Sequence, residues 1–68
     1  MPADASADRA ELSALTTAVE ELTKRVTLII ERYSSGTRDD VLAALEGAER
    51  ALVQASRRLE VATRSLKV

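Results

Sequence analysis

The sequence lacks the residues on which most small catalytic and metal-binding domains depend. Its 68 residues include no cysteine, histidine, tryptophan or phenylalanine, and Tyr33 is the only aromatic residue. Without cysteine and histidine the chain has no disulfide framework, zinc finger, thiol nucleophile or imidazole base. A single aromatic ring offers no stacking platform for nucleic-acid bases. We therefore expect no enzymatic activity, no cofactor and no metal ion.

Glycine, proline and long apolar runs are also scarce. Two glycines, one proline and 31% charged residues of nearly balanced sign are typical of long helices. The longest run of leucine, isoleucine and valine, Leu28 to Ile30, is far shorter than the ~20 residues that span a bilayer. The N-terminal stretch is acidic and rich in alanine, unlike a signal peptide. We expect a cytoplasmic protein that does not bind membranes. The alanine- and arginine-rich, lysine-poor composition is typical of high-GC bacterial coding sequences.

An unbroken heptad pattern predicts a first helix from about residue 6 to residue 34. Its apolar residues are spaced alternately three and four apart, as the a and d positions of a heptad require. The a positions are Leu12, Val19, Val26 and Tyr33, and the d positions are Leu15, Leu22 and Ile29. Residues 1–5 are expected to form a flexible N-terminal tail.

A second heptad pattern predicts another helix from about residue 38 to residue 66. The a positions are Leu45, Leu52, Leu59 and Leu66, and the d positions are Ala48, Ala55 and Ala62. Alanine at every seventh residue allows a neighbouring helix to approach closely. Gly47 costs about 1 kcal/mol relative to alanine inside a helix. Either a close helix crossing at Gly47 offsets this cost, or the helix tolerates it.

The break between the two patterns predicts a turn at residues 34–37. Continuing the first heptad would place Gly36 and Asp40 among the apolar positions, which excludes one continuous helix. Gly36 can close the first helix in the left-handed conformation, and Thr37 can cap the second through its side chain. So short a connection makes the two helices antiparallel. The predicted fold class is all-α, an antiparallel two-helix hairpin with heptad seams.

The distribution of charge favours the same arrangement. Residues 1–23 carry five acidic side chains against Arg9, a net charge of −4. Residues 51–68 carry four basic side chains against Glu60, a net charge of +3. Folding at Gly36 brings these two ends together, and each end has the sign that its own helix dipole prefers.

A hairpin of this length is too small to bury all of its apolar residues by itself. We therefore expect two hairpins to dimerise into a four-helix bundle with twofold symmetry. Docking on another helical protein is the alternative. The expected oligomer-interface residues are Leu15, Val19, Leu22, Val26, Ile29, Leu45, Ala48, Leu52, Ala55 and Leu59.

Of the large apolar residues outside the a and d positions, which also include Ile30 and Leu42, three fall at b or c positions, namely Leu28, Val53 and Val61. They face away from an ideal two-helix contact. They either form a groove for a partner helix or are covered by broader packing within the bundle.

Arginine recurs every seven residues along the outer face of the second helix, at Arg50, Arg57 and Arg64. Such an arginine stripe can follow a phosphate backbone, or it can be a solvated face. Glu46 and Glu60, each four residues before an arginine, favour the solvated face because they allow i,i+4 ion pairs.

The sequence is compatible with two functions. The first is a non-catalytic protein–protein interaction module, such as a small adaptor, regulator or assembly subunit. The alternative is a small dimeric RNA- or DNA-binding regulator that uses the arginine stripe, although the near-neutral net charge makes nucleic acid the less favoured partner.

Overall fold

The computed structural model describes residues 4–36 and 38–66, which form two helices. Helix α1 spans Ala5–Tyr33 and contains 29 residues, and helix α2 spans Asp39–Ser65 and contains 27 residues. The two helices pack against each other as a hairpin that measures 53 × 18 × 14 Å. The predicted all-helical fold with two packed helices is confirmed. Neither α1 nor α2 combines the length and the apolar character that a membrane span requires.

Helix α1 is capped by Asp4. Its Oδ1 atom accepts hydrogen bonds from the backbone N–H groups of Ser6 at 3.0 Å and Ala7 at 3.2 Å. These bonds satisfy two of the donors that the first turn of a helix leaves free. The helix therefore includes Ala5, which the sequence analysis assigned to the N-terminal tail. Residues 1–3 of that tail lie outside the described residues.

The turn closes without a left-handed glycine, so that prediction for Gly36 is wrong. The N–H of Gly36 donates to the carbonyl of Tyr33 at 3.1 Å, and Ser34 keeps right-handed helical angles of φ −63° and ψ −25°. A right-handed turn with a three-residue hydrogen bond ends α1, and no residue there needs a positive φ. The predicted cap at Thr37 lies outside the described residues.

Helix α2 begins beside an arginine–aspartate pair rather than a capping side chain from the described residues. The guanidinium of Arg38, at the N-cap position, donates from Nε and Nη2 to the two carboxylate oxygens of Asp40, each at 3.3 Å. This guanidinium, and after it the N–H of Val41, holds the pKa of the exposed Asp40 carboxyl below its usual value. The negative charge of Asp40 also suits the positive end of the α2 dipole.

The contact between the helices contains no fully buried apolar residue among those described. Thr16, at 7% exposure, is the only buried residue there. Thr27 and Val53 at b positions and Ile29, Ala55 and Ala62 at d positions are half-buried as well, but the largest set of half-buried residues occupies the a and e positions of both helices. We call this set the hairpin interface: Leu12, Thr16, Val19, Thr23, Val26 and Ile30 in α1, and Leu45, Glu49, Leu52, Ser56, Leu59 and Thr63 in α2.

Candidate interaction surfaces

Threonines occupy much of the hairpin interface, and their hydroxyl groups are satisfied within their own helices. Thr16 donates to the carbonyl of Leu12 at 2.9 Å, and Thr23 donates to that of Val19 at 2.8 Å. In α2, Thr63 donates to the carbonyl of Leu59 at 2.8 Å. No buried side-chain polar atom of the described residues lacks a hydrogen-bond partner. The helices can therefore meet along a partly polar surface without a desolvation penalty for unpaired groups.

One side-chain hydrogen bond joins the two helices. The hydroxyl of the half-buried Thr27 lies 2.5 Å from Oε2 of Glu49 and 3.0 Å from the carbonyl of Thr23. A hydroxyl has a single hydrogen, and a charged acceptor makes the shorter and stronger bond. We therefore assign the Thr27 hydrogen to the Glu49 carboxylate.

Sequence reasoning missed the e positions of the hairpin interface because it followed only the a and d positions of the heptads. The signal was present in the sequence, since Thr16, Thr23 and Ile30 recur every seven residues in α1. Glu49, Ser56 and Thr63 recur in the same way in α2. Each of these residues follows an apolar a residue by four, which places it on the adjacent part of the helix surface.

The structure divides the predicted oligomer-interface residues into two groups. Five of them lie half-buried in the hairpin interface, namely Val19, Val26, Leu45, Leu52 and Leu59. The other five are the d residues, of which Leu15, Leu22 and Ala48 are exposed and Ile29 and Ala55 are half-buried.

The d residues form two rows with different side-chain sizes. The aliphatic row consists of Leu15, Leu22 and Ile29 in α1, and the alanine row consists of Ala48, Ala55 and Ala62 in α2. The two leucines of the aliphatic row are 44% and 46% exposed. The hairpin therefore leaves large apolar side chains of its own heptad pattern in contact with solvent.

The three residues of the predicted partner groove are not brought together. Leu28 and Val61 are 56% and 52% exposed, whereas Val53 is half-buried. Val53 lines a shallow groove of about 370 Å³ between the helices, together with Glu20 and Glu60. Leu28 lines a different groove, which it shares with other residues of α1. Val61 lines neither of these two grooves.

The arginine stripe is exposed, and each of its members shares a groove with a carboxylate. Arg57 and Arg64 each line a groove that also contains Glu20 and Glu60. Arg50 lines a groove with Glu49. These acidic neighbours lower the positive potential that a phosphate group would encounter.

The i,i+4 ion pairs predicted for Arg50 and Arg64 are not formed. Within residues 4–36 and 38–66, the ion pairs closer than 4.0 Å are Glu21–Lys24, at 3.9 Å, and Arg38–Asp40, at 3.3 Å. The reason is that an exposed ion pair gains at most about 1 kcal/mol, which hardly exceeds the entropy cost of fixing two long side chains.

No described group of three or more acidic, cysteine or histidine residues is arranged to hold a metal ion. The chain matches no known protein family, no curated protein and no solved structure. Its function must therefore be inferred from the surfaces of the hairpin.

Proposed function

We propose that the protein is a non-catalytic protein–protein interaction module that acts as a homodimer of antiparallel hairpins packed into a four-helix bundle. The observation that supports this most directly is the absence of any buried apolar side chain among the described residues. Complete burial of a leucine contributes about 1.5–3 kcal/mol. Leu15 and Leu22 contribute only part of this in a single hairpin, and a second copy would recover the rest.

The surface area of the chain supports the same proposal. The hairpin exposes 5234 Å². A compact globular protein of its mass, 7.3 kDa, exposes about 4,200 Å². The excess of about 1,000 Å² is similar to the ~800 Å² that each partner contributes to a stable interface of standard size.

The neighbours across the hairpin support an antiparallel orientation. Ser13, early in α1, shares a groove with Thr63, late in α2. Thr27, late in α1, is bonded to Glu49 in the first half of α2. Residues later in α1 therefore lie beside residues earlier in α2, as they do in antiparallel helices.

In antiparallel helices joined through their a and e positions, both d rows lie on the same side of the hairpin. The aliphatic row and the alanine row then form one continuous face, which we call the d face. The b positions flank the hairpin interface on the other side and carry Glu20, Glu46 and Glu60. A second copy would bury apolar surface on the d face, but would bury carboxylates on the opposite side.

Exposed leucines on two different faces of α1 provide a matched test of this proposal. Leu22→Asp places a charge in the d face, whereas Leu28→Asp makes the same change at a c position that is at least as exposed. We expect sedimentation equilibrium to give twice the chain mass for the natural protein and for Leu28→Asp. Leu22→Asp should give the mass of a single chain with reduced helicity, because it would bury an unpaired charge.

Two results would contradict the proposal. One is a natural protein that is helical, monomeric and cooperatively folded at low micromolar concentration. The other is a dimer that survives Leu22→Asp and is lost with Leu28→Asp, which would move the interface to another face of α1.

The arginine stripe offers weaker support for binding RNA or DNA. Each of its arginines has a carboxylate in the same groove, and the full chain has a net charge of −1. Protein association through the d face is therefore the function that the geometry supports best.

A further inference from the structure

We infer that the two hairpins of the dimer lie with their turns at opposite ends, so that α1 packs against α1 of the second copy and α2 packs against α2. This inference rests on the proposed dimer through the d face. It adds the orientation of the second copy and a pair of charged residues that selects it.

Two twofold arrangements can bring two d faces together. An axis parallel to the helices places both turns at the same end and sets α1 against α2 of the second copy. An axis perpendicular to the helices places the turns at opposite ends and sets each helix against its own copy. Side chains along the edges of the d face distinguish the two arrangements.

The centres of the two d rows lie at the same height in the hairpin. The Thr27–Glu49 bond marks one height in the hairpin. Leu22 precedes Thr27 by five residues and Ala55 follows Glu49 by six, and both steps lead away from the turn when the helices are antiparallel. At 1.5 Å per residue the two heights agree to about 1.5 Å. One perpendicular axis at this height therefore pairs each row completely with its own copy. Leu22 meets Leu22, and Leu15 meets Ile29 of the second copy.

The alanine row pairs in the same way about this axis. Ala55 meets its own copy, and Ala48 meets Ala62 of the second copy. Alanine against alanine brings the two α2 helices close together, while the aliphatic row keeps the two α1 helices farther apart. Both spacings fit the range of 8–10 Å that is typical of packed helices.

The g residues at the outer edge of the d face provide the charge complementarity. Glu11 and Arg32 are both exposed g residues of α1. Neither forms an ion pair within 4.0 Å with another described residue of the hairpin. About the perpendicular axis, Glu11 of one copy faces Arg32 of the other, and symmetry repeats the pair.

The parallel axis offers Glu11 no such partner. It would set Glu11 at the height of Ser65 of the second copy, and it would set Arg32 at the height of Ala44. Both charges would then remain unpaired. The complementary charges therefore favour the arrangement with turns at opposite ends.

A charge-reversal cycle tests the proposed pair. Glu11→Arg and Arg32→Glu should each weaken the dimer, and the double variant should restore most of the affinity. Because each single variant loses two exposed ion pairs, we expect its Kd to rise roughly twofold to thirtyfold. Arg32 follows Glu11 by 21 positions, about 31 Å along α1, so the coupling between them can only arise between chains.

Spin labels measure the orientation directly, because the chain has no cysteine of its own. A label on Ser35→Cys, at the turn, should lie about 40 Å or more from its copy if the turns are at opposite ends. Turns at the same end would give about 25 Å or less, since two packed hairpins are only about 20 Å across. A label on Gln54→Cys, near the middle of α2, serves as the control and should show dipolar coupling in either arrangement.

The outcomes separate this inference from the proposed function. A dimer with a short Ser35 distance and no recovery in the double charge variant would overturn the orientation alone. A monomeric natural protein with no coupling at Gln54 would overturn the dimer itself.

Discussion

Gly47 lies inside α2 without a structural requirement for glycine. Its φ is not positive, and an added Cβ would meet only the flexible end of Arg50, at 3.8 Å. No part of α1 approaches closely enough to need the missing side chain. The close helix crossing considered for Gly47 therefore does not occur within the hairpin, and its c position lies outside the proposed d face.

We predict that Gly47→Ala stabilises the protein by about 0.5–1 kcal/mol, because alanine loses less backbone entropy in a helix. Urea denaturation followed by circular dichroism would measure the change in the free energy of unfolding. Ala43→Gly, at an exposed position of the same helix, is the mirror control and should destabilise by a similar amount. A loss of stability in Gly47→Ala would mean that another helix packs against this residue.

At the scale of the helices, the heptad pattern and the break at Gly36 sufficed to predict an all-helical fold with two helices packed against each other. The pattern could not predict which part of each helix faces the other. Two helices cover only a narrow strip of each other's surface, so a and d residues cannot all lie in a single contact. Here that strip is centred on the a and e positions, and the e positions carry mostly threonine, serine and glutamate.

The same limitation applies to the candidate surfaces. The sequence predicted apolar residues in excess of what one hairpin can cover, and two of these, Leu28 and Val61, are more than half exposed. It could not predict that Leu28, Val53 and Val61 fail to share a groove, because that depends on the rotation of each helix about its own axis. The conformation of Gly36 was also beyond prediction, since a right-handed turn and a left-handed one both accept glycine.

The Thr27–Glu49 hydrogen bond leads to a prediction about the contact between the helices. Thr27→Val should destabilise the hairpin by about 1 kcal/mol, because the half-buried Glu49 carboxylate loses a donor. Thr17→Val is the matched control, since the hydroxyl of the exposed Thr17 donates only to the carbonyl of Ser13, at 3.2 Å. This control should change stability by less than about 0.5 kcal/mol.

Chemical denaturation of both variants, together with Glu49→Gln, would complete the comparison. In the Glu49→Gln background, Thr27→Val should cost less than it does in the natural protein, because the charged acceptor is gone. Equal costs in the two backgrounds would show that the charge of Glu49 adds nothing to the strength of this hydrogen bond.

At the scale of the whole molecule, the hairpin is a rod of 53 × 18 × 14 Å whose apolar side chains are at most half-buried among the described residues. Such a shape gives the chain a long surface but little interior of its own. If the proposed dimer supplies that interior, folding and association are one process.

Coupled folding and association predict a thermal midpoint that depends on protein concentration. For a dimer of two 68-residue chains, tenfold dilution should lower Tm by about 5 °C. Circular dichroism melts over a hundredfold range of concentration would measure this shift. A constant Tm over that range, with full helicity at the lowest concentration, would show that the single hairpin is stable alone.

Glu49 is the only charged residue of the hairpin interface, and its position restricts how the two helices can be aligned. Because both sides of the interface repeat every seven residues, sliding α2 by one heptad would keep most leucines in place. Such a slip in one direction would set Glu49 beside Glu20, and in the other beside Ser34 at the end of α1. The Glu49 carboxylate thus adds to the short turn a second constraint on the alignment of an otherwise repetitive chain.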